Sequence, residues 1–137
     1  MTSGTPRARP GDPGGPLVLI VDDNELNLKL ARDVLRASGF RTLEASSGTE
    51  GIELAAGQLP DVILMDLRLP DMDGAEAARR LGASPRTARI PVVALSSLTL
   101  DGNRDWLRAA GFAGYLEKPF SVGEFPAQVR GYCAEGA

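Results

Sequence analysis

The stretch Val62-Ile-Leu-Met-Asp66 sets four consecutive apolar side chains in front of a carboxylate. A run apolar on both faces is what a central strand of a parallel sheet requires, because helices cover that strand from above and below. On either side of it the pattern repeats. Leu17-Val-Leu-Ile-Val21 stops at Asp22 and Asp23, Val92-Val-Ala-Leu95 stops at Ser96, and Tyr115-Leu-Glu117 stops at Lys118. In an open parallel sheet with helical crossovers all strands point one way, so residues at their carboxyl ends converge in a crevice along one edge. Four separate stretches are therefore expected to build one polar site.

Between these runs the chain shows helical periodicity, and the alternation calls for an α/β fold: a five-stranded parallel sheet with helices on both faces. The strands are expected at Leu17–Asp22, Arg41–Ala45, Asp61–Asp66, Ile90–Leu95 and Gly114–Glu117, with the polar second strand at an edge and the third in the middle. Asn24 is positioned to cap a first helix with Leu28, Ala31, Val34 and Leu35 on one stripe, ending at Gly39. Ser47-Gly-Thr-Glu50 has capping-box spacing for a second helix, whose stripe reads Ile52, Ala55, Ala56 and Leu59 before Pro60. Asp73-Gly-Ala-Glu76 does the same for a third, carrying Ala77, Ala78 and Leu81 and ending before Pro85. A fourth helix is expected over Thr99–Ala110, weakened by Gly102, and a last from Ser121, with Glu124 in capping position, Phe125, Val129 and Tyr132 inside, and Pro126 distorting its first turns.

The 137 residues fit one domain, expected over 17–137, after a Pro/Gly-rich stretch, 1–16, read as a disordered tail. A net charge of −3 gives no basic surface for a phosphate backbone, and no apolar run approaches the roughly 20 residues of a membrane span. Neither nucleic acid nor membrane is expected as a partner. The single cysteine, Cys133, forms no intramolecular disulfide, and no signal-like pattern opens the chain, so the expected location is cytoplasmic.

Three carboxylates brought together, Asp22, Asp23 and Asp66, repel one another unless a cation sits among them. With oxygen ligands only and no histidine in the chain, the choice falls on Mg²⁺ or its relative Mn²⁺, and zinc is disfavoured. An isolated Asp22-Asp23 pair also reads as a turn capping the first helix; its convergence with Asp66 is what favours the metal. Lys118 is one of only two lysines among 15 cationic side chains. A lysine is a mobile point charge, suited to pairing with a carboxylate at rest and with a phosphoryl oxygen later. Asp66 as nucleophile, Asp22 and Asp23 as metal platform, Lys118 as cation and Ser96 as hydroxyl donor suit phosphoryl transfer to aspartate.

Four motifs, Val21-Asp-Asp-Asn24, Leu64-Met-Asp-Leu-Arg-Leu-Pro-Asp-Met-Asp-Gly74, Ala94-Leu-Ser96 and Tyr115-Leu-Glu-Lys-Pro119, resemble the receiver domain of two-component response regulators, in order and at similar spacing. The resemblance spans Leu17 to about Cys133 and implies the flavodoxin-like (βα)5 receiver fold. It implies that Asp66 accepts a phosphoryl group from a phosphohistidine on a sensor histidine kinase or histidine phosphotransfer protein. Asp22 and Asp23 then bind Mg²⁺ with Asp66 and the backbone carbonyl of Arg68, and Ser96 and Tyr115 form the conformational switch pair.

About 18 residues follow Pro119, enough for one helix, so the expected output is contact with a downstream protein effector, made by a monomer or weak dimer. The chemistry is expected to stop at phosphorylation and dephosphorylation of the protein itself. Arg68 is open to pairing with Asp71 or with the phosphoryl group, and Leu98 is expected to border the site and exclude water. The alternative is a receiver-like interaction module that works without phosphate. A nucleotide site is disfavoured, since Asp-Asp-Asn-Glu stands where a glycine-rich turn would follow the first strand.

Overall fold

A computed structural model of the chain describes residues 15–96, 104–118 and 123–136. Its strands are β1 (Leu17–Val21), β2 (Arg41–Ala45), β3 (Val62–Asp66), β4 (Val92–Ser96) and β5 (Gly114–Glu117). Its helices are α1 (Glu25–Ala37), α2 (Gly48–Gln58), α3 (Gly74–Ala83), α4 (Arg104–Ala110) and α5 (Phe125–Gly136). All strand pairs are parallel and the order is β2-β1-β3-β4-β5, with β3 in the middle and the polar β2 at an edge as its composition requires.

Strand periodicity divides the core in two. Val18, Ile20, Val62, Leu64, Val93 and Leu95 face one side, where Leu28, Ala31 and Leu35 of α1 and Phe125 and Val129 of α5 cover them. Leu19, Val21, Ile63, Met65, Val92 and Ala94 face the other, beneath Ala55 of α2, Ala77, Ala78 and Leu81 of α3 and Leu107 of α4. Because β3 is buried along its whole length on both faces, Asp66 at its end is held by a rigid support.

The helix starts follow from their caps. Asn24 accepts from the N–H groups of Leu26 and Asn27 at 2.9 and 3.2 Å, Ser47 from Glu50 at 3.1 Å, and Asp73 from Glu76 at 2.8 Å. Glu50 accepts from the N–H of Ser46, the residue before the cap, at 2.9 Å. Gly39 follows α1 at φ 93°, a left-handed conformation that glycine adopts without strain.

Two helices differ from expectation. The buried stripe of α2 is Gly48, Gly51 and Ala55, with Ile52 only packed alongside and Leu59 lying beyond the helix end, 47 % exposed. The reason is close approach: a Cβ on Gly51 would stand 2.8 Å from Val21 Cγ2, so the smallest residues of α2 face β1. In α5, Pro126 is the second helical residue, where the missing N–H has no intrahelical acceptor to lose, and it opens the helix without distorting it. Ser121, Gly102 and Leu98 lie outside the described residues, and so does the expected start of α4 at Thr99. The last residues of the stretch expected to be tail, Gly15 and Pro16, are bonded to Arg41: its Nε donates to the Gly15 carbonyl and its N–H to the Pro16 carbonyl, both at 2.8 Å.

Candidate phosphoacceptor and metal site

The ends of β1, β3 and β5 deliver Asp22, Asp23, Asp66 and Lys118 to one cleft of about 780 Å³, whose remaining wall is Asn24, Asn27, Arg68, Leu69 and Pro70. Asp22 is fully buried, Asp66 nearly so and Asp23 exposed. One oxygen from each of the three carboxylates lies within 4.8 Å of the others. The convergence expected from the sequence is therefore present for these residues.

Backbone geometry aims the two buried carboxylates. Asp22 Oδ1 accepts from the N–H of Asn24 at 2.9 Å, and Asp66 Oδ1 from the N–H of Arg68 at 3.0 Å. Each aspartate thus uses one oxygen to close the turn leaving its strand, which serves the capping reading of Asp22 as well, and frees the other for the cleft. Lys118 Nζ then stands 2.8 Å from Asp22 Oδ2 and 3.0 Å from Asp66 Oδ2. The contact with Asp66 has hydrogen-bond geometry. The contact with Asp22 is an ion pair by distance alone, and Asp22 Oδ2 receives no well-aligned donor.

Burial raises the Asp66 carboxyl above the usual range and the charge of Asp22 adds to that, against the Arg68 N–H and Lys118, which lower it. For Lys118, burial works against the ammonium, but Asp22 and Asp66 outweigh it and its pKa is raised. The lysine is therefore charged at neutral pH and offsets only part of the acidic field. Three carboxylate oxygens held together around one ammonium keep a net negative charge, and that is chemistry a hard divalent cation fits.

The loop after β3 is tightly closed. Gly74 N–H donates to the Leu67 carbonyl at 2.9 Å, Arg68 and Asp73 form an antiparallel bridge, and a Cβ on Gly74 would lie 2.5 Å from the Asp66 carbonyl oxygen. Only glycine fits there. The Arg68 side chain is exposed, and Asp71, offered by the sequence as its partner, is engaged elsewhere: it accepts from Gly48 and Thr49 at the start of α2. Helix N–H groups outcompete a mobile guanidinium because they are fixed and otherwise unpaired.

Ser96 is buried at the end of β4, one residue past Leu95, the partner of Asp66, and its carbonyl accepts from Lys118 N–H at 2.8 Å. Tyr115 packs on the α2/α3/α4 side of the sheet and borders a separate cleft with Leu107, Phe112 and Tyr132. Asn27, one turn into α1, lines the acidic cleft and was not singled out by sequence. Its signal was available, since it follows Asp23 by four residues on a helix capped at Asn24.

A doubly wound five-stranded sheet with an acidic cleft and a lysine at its carboxyl edge defines the receiver class, and the chain belongs to the response regulator receiver domain family, which it matches over residues 18–130. It is similar to the polar-differentiation response regulator DivK of Brucella ovis, 39% identical over 118 residues that cover 86% of this chain and 96% of that protein. The receiver domain of sensor histidine kinase PA1611 from Pseudomonas aeruginosa PAO1, which holds a magnesium ion in its active site cleft, superposes with a TM-score of 0.79 at 34% identity, over 88% of this chain and 98% of that one. Chemotaxis response regulator CheY4 of Vibrio cholerae superposes with a TM-score of 0.80 at 25% identity, over 85% and 98%. Among the described residues no helix is long and apolar enough to cross a membrane.

Proposed function

We propose that Asp66 is the phosphoacceptor of this receiver and that Asp22, Asp23, Asp66 and the Arg68 carbonyl hold Mg²⁺, with Mn²⁺ as a substitute. The observation that carries this reading is the cluster of three carboxylates, one oxygen of each within 4.8 Å of the others, around the single ammonium of Lys118. When bound, the cation neutralises charge on the phosphoryl oxygens. The chain's own residues supply the rest. Asp66 Oδ2 attacks phosphorus, an O–P bond forms, the P–N bond to the partner's histidine breaks, and the imidazole leaves with the electron pair. Lys118, now paired with Asp66, is placed to follow the negative charge onto a phosphoryl oxygen. Hydrolysis reverses the state: water attacks phosphorus, phosphate leaves and the carboxylate is restored.

The phosphoryl group adds about −1.5 to −2 charge at the end of β3. We assign Ser96 and Tyr115 as the pair that reads it, the hydroxyl moving toward the phosphoryl group and the aromatic ring turning inward. The donor is a sensor histidine kinase or histidine phosphotransfer protein, the output is a protein effector, and the setting is cytoplasmic. This reading also treats residues 17–137 as the receiver and the stretch before it as a tail. The similarity to the Pseudomonas receiver with its magnesium ion supports the metal assignment.

The test is intact mass after incubation with a small phosphodonor, with and without Mg²⁺, beside Asp66→Asn. A magnesium-dependent gain of one phosphoryl group, absent in the variant, is expected. Failure of both a small donor and a histidine kinase to label the protein would favour the phosphate-independent module.

A further inference from the structure

The loop between β3 and α3 forms one wall of the acidic cleft through Arg68, Leu69 and Pro70, and its tip is fastened to a helix that contributes nothing else to that cleft. Asp71 Oδ1 accepts from Gly48 N–H at 2.8 Å, and its Oδ2 accepts from Thr49 N–H at 2.9 Å and from the Thr49 hydroxyl at 2.7 Å. The Ser47 cap already serves the N–H of Glu50, and the Glu50 carboxylate serves that of Ser46 before the helix. Asp71 therefore takes the two first-turn donors, the N–H groups of Gly48 and Thr49, that the Ser47 cap leaves over. The Thr49 hydroxyl, and then the N–H groups of Thr49 and Gly48, hold its carboxyl down at about 2, so it is ionised and suited to the positive end of the helix.

Met72 makes the second half of the dock. Its Cγ would lie 2.6 Å from a Cβ on Gly48, so the methionine lies across the helix start in space that only glycine leaves open. At its neck the loop is closed by the Gly74 bond to Leu67 and the Arg68–Asp73 bridge. Neck and tip are thus pinned independently, and Leu69 and Pro70 span the gap between them.

We propose that Asp71 is a positioning residue of the cleft: by docking the loop on α2 it fixes the wall that carries the Arg68 backbone, and so sets metal affinity without touching the metal. This rests on the metal reading given above. Residues that orient ligands from outside the coordination sphere commonly change affinity by roughly 10- to 100-fold.

The test compares Mg²⁺ titration calorimetry and thermal unfolding in EDTA for wild type, Asp71→Ala, Asp71→Asn and Ser47→Ala. The last removes a cap from the same helix end without releasing the loop. Expected is a dissociation constant raised about tenfold in Asp71→Ala and less in Asp71→Asn, whose amide oxygen keeps one N–H, with Ser47→Ala melting lower yet binding Mg²⁺ as wild type does. Wild-type affinity in Asp71→Ala would reduce Asp71 to a helix cap and overturn the proposal. Equal weakening in Ser47→Ala would also overturn it, by tracing the effect to α2 stability. A wild-type protein that binds no Mg²⁺ would remove the metal reading itself, and this proposal with it.

Discussion

Asp22 and Asp66 are aimed by the same device: each accepts at Oδ1 from the backbone N–H two residues ahead, and each presents Oδ2 to the Lys118 ammonium, at 2.8 and 3.0 Å. Two adjacent parallel strands ending in aspartate thus produce a pair of parallel acceptors, and a lysine from the far edge of the sheet spans them. The arrangement is polarised before any ligand arrives, which lowers the reorganisation that charge transfer to Asp66 would otherwise need.

Removing that lysine leaves two buried carboxylates facing each other. Lys118→Met is expected to destabilise the protein by roughly 3 kcal/mol in EDTA, the cost of stripping one partner from a buried ion pair. Magnesium should narrow the gap, since ligand at about 100 times its dissociation constant stabilises by about 2.7 kcal/mol and no ammonium competes for the site in the variant. Urea unfolding with and without Mg²⁺ measures both. A variant as stable as wild type in EDTA would mean that the ion pair contributes nothing.

Asp66→Asn is expected to be more stable than wild type in magnesium-free buffer at neutral pH. The folded-state pKa of Asp66 is raised, first by burial and then by the charge of Asp22. Below its ordinary value of 3.8 the carboxyl is protonated in both the folded and the unfolded chain, and it has no effect. As pH climbs past that value the unfolded chain ionises first, stability falls, and the loss is complete above the raised folded pKa. The advantage of the asparagine variant should therefore be largest at pH 7 and shrink toward pH 4. Urea midpoints at the two pH values decide it, and a variant less stable at pH 7 would show that the Lys118 pairing outweighs burial.

Gly74→Ala tests how closely the loop fits. Its Cβ would meet the Asp66 carbonyl oxygen at 2.5 Å and Leu67 Cα at 2.9 Å, and both are backbone atoms that cannot swing aside. Overpacking of this kind costs about 2 kcal/mol. Because the displaced atoms belong to Asp66 and its neighbour, Mg²⁺ affinity should fall together with stability, and calorimetry and a denaturation midpoint on one sample test the coupling.

Much of this was legible because it is local. The apolar runs ending at Asp22, Asp66, Ser96 and Lys118 announce parallel strands and their common edge, and Asn24, Ser47 and Asp73 announce helix starts by spacing alone. What escaped depends on distant partners. Asp71 meets the start of α2 more than twenty residues earlier, a contact no periodicity encodes, and an arginine three residues away looked the nearer match. In the α2 stripe Ala55 was legible, but hydropathy marks Ile52 and Leu59, while close approach selects Gly51 against Val21 of β1 and Gly48 against Met72.

Leu59 itself is a residue in the wrong chemistry for its backbone. It caps α2 at φ 50° and ψ 63°, the left-handed region, and it is the one described non-glycine residue with positive φ. That conformation costs an L-residue about 1 kcal/mol, because Cβ crowds the carbonyl that follows. With 47 % of the residue exposed, the leucine recovers little of this by burial. Its N–H still donates to the Ala55 carbonyl at 2.9 Å, a bond that glycine would keep. Glycine gives back part of the gain as added freedom of the unfolded chain, so Leu59→Gly should stabilise by about 0.5 kcal/mol net, or roughly 2 °C in melting temperature. The substitution lies at the end of α2 opposite the Asp71 dock, so Mg²⁺ affinity should not change. A melt that falls by several degrees would mean that Leu59 gains more from packing than its backbone loses.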